Sequence, residues 1–259
     1  MVFPVGDDNS DRQIVPIVTV ALILANVFVF VVFQGMGTNE SRTLAYCQVP
    51  AEILSGRDVV TEPSIREIPV QGQLVRVNVP GLQPTPIPVW FTLLTGIFMH
   101  GGLMHLAGNM WFLWIFGDNI EDDMGHARYL AFYLASGVLA SLAFVFLNAT
   151  GEAAYTPCLG ASGAISGVLG AYLVLHPTRR VSVILLRLIV DVPGYVAVGI
   201  WFLFQVVSGV FDQDSGGGGV AYSAHVAGFV AGLILAKPMS FGRARASADD
   251  LVMLRRRVP

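Results

Sequence analysis

Long apolar runs alternate with polar breaks along the 259 residues, and the lengths between breaks predict helices. Ile14 to Phe33 is apolar almost throughout and predicts a first membrane span. Gln34 to about Pro88 carries several prolines and charges of both signs, which predicts a long loop outside the bilayer. Alternation near Ile65–Val79 predicts a hairpin or an edge strand inside that loop. Trp90 to Asp118 is apolar but is cut by His100-Gly101-Gly102. Its first part is expected to dip to the membrane surface, and a second span to run from about Leu103 to Asn119, with Glu121-Asp122-Asp123 as the exit and Asp122-Asp123 in it a solvated turn. A third span is predicted at Ala127–Leu147, then a polar turn to Pro157. A short fourth helix follows, from Ser162 to about Leu175, stopped by His176-Pro177. Arg179 to Asp191 reads as an amphiphilic connection. Pro193 to about Val210 and Ala224 to Ala236 are the fifth and sixth spans, and Gly216–Gly219 between them is a flexible loop. The fourth helix is too short to face lipid, so it is expected in the middle of a bundle, its start opening into a wet cavity.

Composition agrees with this pattern. Hydrophobic residues make up 54% of the chain and charged ones 13%, with a mean hydropathy of +0.65. A soluble domain carries about 25% charge, and several runs here approach the ~20 residues that cross a bilayer. The expected class is an all-α polytopic membrane protein built as a six-helix bundle. Residues 1–13 would be a polar cytoplasmic tail, 14–238 the membrane domain with its outer loop 34–88, and 239–259 a second cytoplasmic tail. Arg12, Arg128, Arg179, Arg180, Arg187, Lys237 and the C-terminal arginines fall on one side, against Arg42, Arg57, Arg66 and Arg76 on the other. That bias predicts both termini inside. The polar, acidic start lacks a basic n-region, so the first run is read as a retained span.

The net charge of −3 says nothing about nucleic acid, but no basic stripe with interleaved aromatics occurs, so a nucleic-acid reading is set aside. No CxxC or Cys/His metal spacing occurs. Cys47 and Cys158 both fall on the predicted outer side and allow a disulfide between the first loop and the turn before Ser162.

Polar residues inside spans are costly and are functional candidates. His105 and Asn109, four apart, share one helix face. His225 lies near the outer end of the sixth span, at the depth expected for Ser162. A serine at a helix start sits beside free backbone N–H groups, where an oxyanion would find donors. It becomes a nucleophile when a neutral imidazole takes its proton. His225 and His105 are the two candidates. Gly163-xxx-Gly167 and Gly228-xxx-Gly232 are matched small-residue faces that let two membrane helices approach closely. That pairs Ser162 with His225 and leaves His105, Asn109 and the Ser162 amide as an oxyanion hole. His126 and His176 are given no role, and Trp111, Trp114 and Trp201 are read as lipid-facing anchors.

Gly160-Ala161-Ser162-Gly163, His105-xxx-Asn109 and Ala224-His225-Val226-Ala227-Gly228-xxx-Gly232 together resemble the motifs of the rhomboid family of intramembrane serine proteases, of bacterial type. The resemblance implies a Ser162–His225 catalytic dyad, an acyl-enzyme, no cofactor, and substrates that are single-span membrane proteins in the lipid bilayer. It implies a site lined by His100, which would hold water, and by Gly160. It gives Glu121 a part at the helix end, and it places the protein in a bacterial inner membrane. Two family features are missing: Phe91 follows Trp90 where an arginine is common, and Ser166 stands where an aromatic ring would stack on the histidine. What orients His225 is left open, with the Ser166 hydroxyl as one candidate. A catalytically inactive helix-binding relative is the competing reading, and a small transporter is a weaker third, since no internal repeat is found.

Overall fold

The computed structural model describes residues 3–70, 73–212 and 221–243. Strand β1 (Phe3–Asp7) comes first, then α1 (Ile17–Phe28), which runs on through a π-type turn over Val29–Phe33. Two short helices, α2 (Glu40–Ala45) and α3 (Pro50–Ser55), precede the hairpin β2 (Ser64–Val70) and β3 (Gln73–Val79). Helix α4 (Thr92–Thr95) leads to α5 (Leu103–Met124), α6 (His126–Leu147) and α7 (Ser162–Leu175). Strands β4 (Arg180–Leu185) and β5 (Leu188–Pro193) then return the chain into α8 (Gly194–Asp212) and α9 (Tyr222–Ser240). Gly216–Gly219 and the arginine-rich end from 244 onward lie outside the described residues.

The chain is mostly helical, but the all-α expectation fails at two places. The supposed N-terminal tail is β1, paired antiparallel with β4, which pairs with β5. Phe3 stacks on Trp111 at 5.9 Å, and Trp111 Nε1–H donates to the Pro4 carbonyl at 2.8 Å. Pro4 has no N–H to give a ladder, which suits it to the edge position β1 occupies. The amphiphilic connection is the β4–β5 hairpin. Leu186 (φ 49°) and Arg187 (φ 75°) form its two-residue loop with both residues left-handed, the geometry that matches strand twist. Neither is a residue type that announces such a turn.

Helix α5 also runs past its expected end, because its acidic residues are buried, not solvated. Glu121 and Asp122 are 0% and 1% exposed. Proline at the start of α1 offers no side-chain cap, so Glu121 reaches across to do it. Its carboxylate accepts from Val18 N–H at 2.8 Å, Thr19 N–H at 2.7 Å and Thr19 Oγ–H at 2.7 Å. Asp122 accepts from the Gln13 and Ile14 amides at 3.1 and 3.0 Å. The Val18 and Thr19 amides are orphan donors of a helix start, where negative charge is also favoured by the dipole, and those of Gln13 and Ile14 belong to the segment that leads into it. His126 Nδ1 lies 2.6 Å from Glu121, and His176 Nε2 2.6 Å from Asp123, so both histidines serve this end of the bundle.

Helix α7 is the centre. Gly163 through Tyr172 are all buried, walled by α5, α6, α8 and α9. Among the described helices, α6 alone is long and apolar enough to cross a bilayer by itself. Val89–Phe98 and Leu103–Met124 would do so only as a pair bent by 78°. Six spans therefore do not follow from helix length. Cys47 and Cys158 are both free and buried, so the disulfide that their placement left open is not formed. Cys47 Sγ–H donates to the Thr43 carbonyl at 2.9 Å, and the two segments are joined instead by Cys158 N–H to the Gln48 carbonyl, also 2.9 Å.

Candidate active site

The turn into α7 depends on Gly160, whose φ is +117°. Its N–H donates to the Gly96 carbonyl at 2.8 Å. A side chain at this position would also meet α5: a Cβ would lie 2.8 Å from Nε2 and Cε1 of His105 and 3.8 Å from Nδ2 of Asn109. His105 and Asn109, one turn apart, thus flank the entry to Ser162. His105 Nδ1 accepts from Gly101 N–H at 3.3 Å, so its Nε2, facing Gly160, carries the proton and is a donor. Asn109 is 8% exposed, and its Nδ2 has no partner among the described residues.

Ser162 is the first residue of α7. His225, in the first turn of α9, places Nε2 2.7 Å from Ser162 Oγ. Glycine faces make this possible. A Cβ on Gly228 would collide with the Gly163 carbonyl, and one on Gly232 with the Gly167 carbonyl. The two backbones touch where any larger residue would part them.

The other side of the histidine ring is held from α8. Gln205 Oε1 lies 2.7 Å from His225 Nδ1. An amide oxygen only accepts, so Nδ1 bears the proton and the Nε2 lone pair faces the serine hydroxyl. Tyr222 meets the ring edge-on at 6.2 Å, and Trp201 lies against it at 6.5 Å. Trp201 also packs on Phe229, so it is not the plain lipid anchor expected. Ser166 does not orient the histidine. Its hydroxyl donates to the Ser162 carbonyl at 2.6 Å, the back-bond open to a serine four residues along a helix.

His100 is 0% exposed and its ring meets His105 edge-on at 5.1 Å. Gln34 clamps its backbone: Oε1 accepts from His100 N–H at 3.1 Å and Nε2 donates to the His100 carbonyl at 2.8 Å. A small cleft beside Ser162 is lined by Gln48, Gly137, Ala140, Ser141 and Ala221. Gln205 and Gln34 were missed from the sequence. Gln205 had a usable signal, since it stands polar within an apolar run and so met the criterion that singled out His105 and Asn109.

The family model described as Rhomboid domain matches residues 88–240. The chain is 37% identical over 129 residues to the presenilin-associated rhomboid-like protein, mitochondrial, of Homo sapiens, covering 45% of this chain and 33% of that one. It is 33% identical over 164 residues to Rhomboid protease GluP of Bacillus subtilis, covering 63% and 29%. Rhomboid protein 1, mitochondrial, of Saccharomyces cerevisiae is 30% identical over 156 residues, covering 59% and 43%. The matched part spans less than half the length of each of these relatives. Mitochondrial and bacterial proteins both occur among them, so neither the bacterial type nor a bacterial inner membrane is supported. Membership points to an integral membrane protein, with a named protease among its relatives. The match covers more than half of the chain, in the segment that carries Ser162, His225, His105 and Asn109, and the chain belongs to the rhomboid family.

Proposed function

We propose that the protein is an intramembrane serine endopeptidase that cuts single-span membrane proteins within or beside the spanning helix. The observation that carries this reading is the 2.7 Å contact of Ser162 Oγ with His225 Nε2 at the open end of a buried helix. Attack forms the bond from Ser162 Oγ to the scissile carbonyl carbon while the hydroxyl proton passes to Nε2. The carbonyl oxygen becomes an oxyanion facing the Ser162 amide, Asn109 Nδ2–H and His105 Nε2–H, donors that await charge in a water-poor site. Collapse breaks the C–N bond, and the leaving amine takes the proton from Nε2. The acyl group then rests on Ser162. A water enters, gives a proton to Nε2 and attacks the ester, releasing the second product and restoring the serine. His100, Gly160 and Ser166 line the site and hold its shape.

The N-terminal strand, the ends of α5 and α7 and the β4–β5 hairpin gather at the end of the bundle away from Ser162. This supports an active site that opens on the membrane face opposite the N-terminus, and the arginine bias favours a cytoplasmic N-terminus.

Purified protein in liposomes, incubated with a panel of fluorescent single-span proteins, tests the reading. Ser162→Ala and His225→Ala are expected to abolish both cleavage and fluorophosphonate labelling. Cleavage by Ser162→Ala at the parental rate, or labelling that survives His225→Ala, would overturn it.

A further inference from the structure

A histidine serves as a general base in one tautomer and one ring orientation, and α8 supplies what holds both. We infer that Gln205 is the positioning residue of the site, making Gln205–His225–Ser162 a three-membered relay with a neutral third partner. The inference rests on the serine-protease reading above and adds to it the group that keeps Nδ1 protonated.

Three observations carry it. First, both ring nitrogens are engaged at hydrogen-bond length, Nδ1 by Gln205 Oε1 at 2.7 Å and Nε2 by Ser162 Oγ at 2.7 Å. Second, Gln205 is only 8% exposed, in a helix whose neighbouring residues are Phe202, Leu203, Phe204, Val206 and Val207. An amide buried there is tolerated when its hydrogen bond is used. Third, the one serine that could have oriented the ring from α7, Ser166, is spent on the Ser162 carbonyl. With Gln205 accepting, the Nδ1–H is fixed and Nε2 is left with a lone pair. When Ser162 gives up its proton the ring becomes a cation, and the Nδ1–H bond to the amide oxygen becomes charge-assisted. An amide oxygen stabilises that cation less than a carboxylate does. The titratable groups facing the ring are His105 of α5 and Tyr222 of α9 itself.

The test compares full-length Gln205→Leu and Gln205→Glu with the parent, in liposomes, by kcat, KM and the pH dependence of kcat/KM. Gln205→Leu keeps the bulk and loses the acceptor. Its kcat is expected to fall roughly 10²–10⁴-fold, the range set by losing the correct tautomer, with KM within about twofold. Gln205→Glu restores the acceptor and sets a negative charge against the protonated ring. Its kcat is expected within about tenfold of the parent, with the acid limb of the profile moved up by roughly one pH unit or more. A parental kcat in Gln205→Leu would overturn the inference. So would equal losses in both variants with an unmoved acid limb, the mark of a packing role. Should Gln205→Leu not fold, the acid limb of Gln205→Glu decides alone. Ser162→Ala in the same assay separates the failures. If it still cleaves, the protease reading falls. If it is inactive while Gln205→Leu is parental, only the role of Gln205 falls.

Discussion

Replacing Gly228 by alanine adds one methyl group and should cost most of the activity. Gly228 is one turn from His225 on α9 and rests on the carbonyl of Gly163, the residue after Ser162. The added Cβ would fall inside that oxygen. An ordinary carbon–oxygen contact is about 3.3–3.6 Å, so the two helices must part by roughly 1 Å. The parting acts next to the dyad and is hardly diminished there. It would lengthen the 2.7 Å Ser162–His225 contact to about 3.5–4 Å, beyond a hydrogen bond. A misplacement of about 1 Å costs roughly 10²-fold in rate, equivalent to about 2.7 kcal/mol of barrier. Overpacking costs about 1–3 kcal/mol of stability, which leaves the protein folded. Activity and stability should therefore separate. The assay is the second-order rate of fluorophosphonate labelling at Ser162, read beside a thermal melt. Gly199→Ala on α8, where a Cβ meets nothing within 4 Å, is the control and should label at the parental rate. Parental labelling by Gly228→Ala would refute the claim that touching glycine faces set the dyad distance.

Two further outcomes follow from the opposite end of the bundle. Glu121→Ala orphans the amides of Val18 and Thr19 at about 1–3 kcal/mol each; its unfolding midpoint should drop well below the parent's, and an unchanged midpoint would dismiss the cross-helix cap. Burial pushes the Asp7 carboxyl up to about 7, against a lowering hydrogen bond from Tyr172. The folded state then holds a proton that the unfolded chain has released above ~4, so stability falls as pH rises from about 4 to about 7. Asp7→Asn, neutral throughout, should flatten that part of the melt-versus-pH curve and exceed the parent's stability at pH 8. Matching slopes in the two proteins would show that Asp7 is not the group responsible.

What the sequence made legible was whatever is decided locally. Apolar run length, the stop at His176-Pro177 and the two small-residue faces each follow from a few consecutive residues. From them came α6, α7, the meeting of α7 with α9, and so the Ser162–His225 pair. What stayed hidden were polar partners far along the chain. Asp122-Asp123 reads as a solvated turn until the amides of Gln13 and Ile14 are seen to end on Asp122. Asp7 reads as part of a polar tail until Tyr172, 165 positions away, donates to it. Ser166 is a candidate to hold His225 because it stands where the family resemblance puts a ring against the histidine. Its own helix supplies a nearer acceptor four residues back, and a serine facing that carbonyl takes it.

At the end of the bundle away from Ser162 the polar groups bond to one another. Arg179 donates to Asn119, to the Asp8 carbonyl and to Asp11, and Asn119 donates to Asp7. Those bonds tie β1, α5 and the turn after α7 into one unit, so the central helix is anchored at its far end. At the Ser162 end, Asn109 Nδ2, His100 Nε2 and Gln48 Oε1 are buried without partners among the described residues. Each such atom costs about 1–3 kcal/mol. A fold carries that cost where a later event supplies the missing bond, and violations of local rules gather at functional sites for this reason. A substrate backbone brings both what these atoms need: a carbonyl oxygen for donors, an N–H for acceptors. On the proposed protease reading, these buried donors and acceptors beside the start of α7 would be completed by the peptide groups of a substrate.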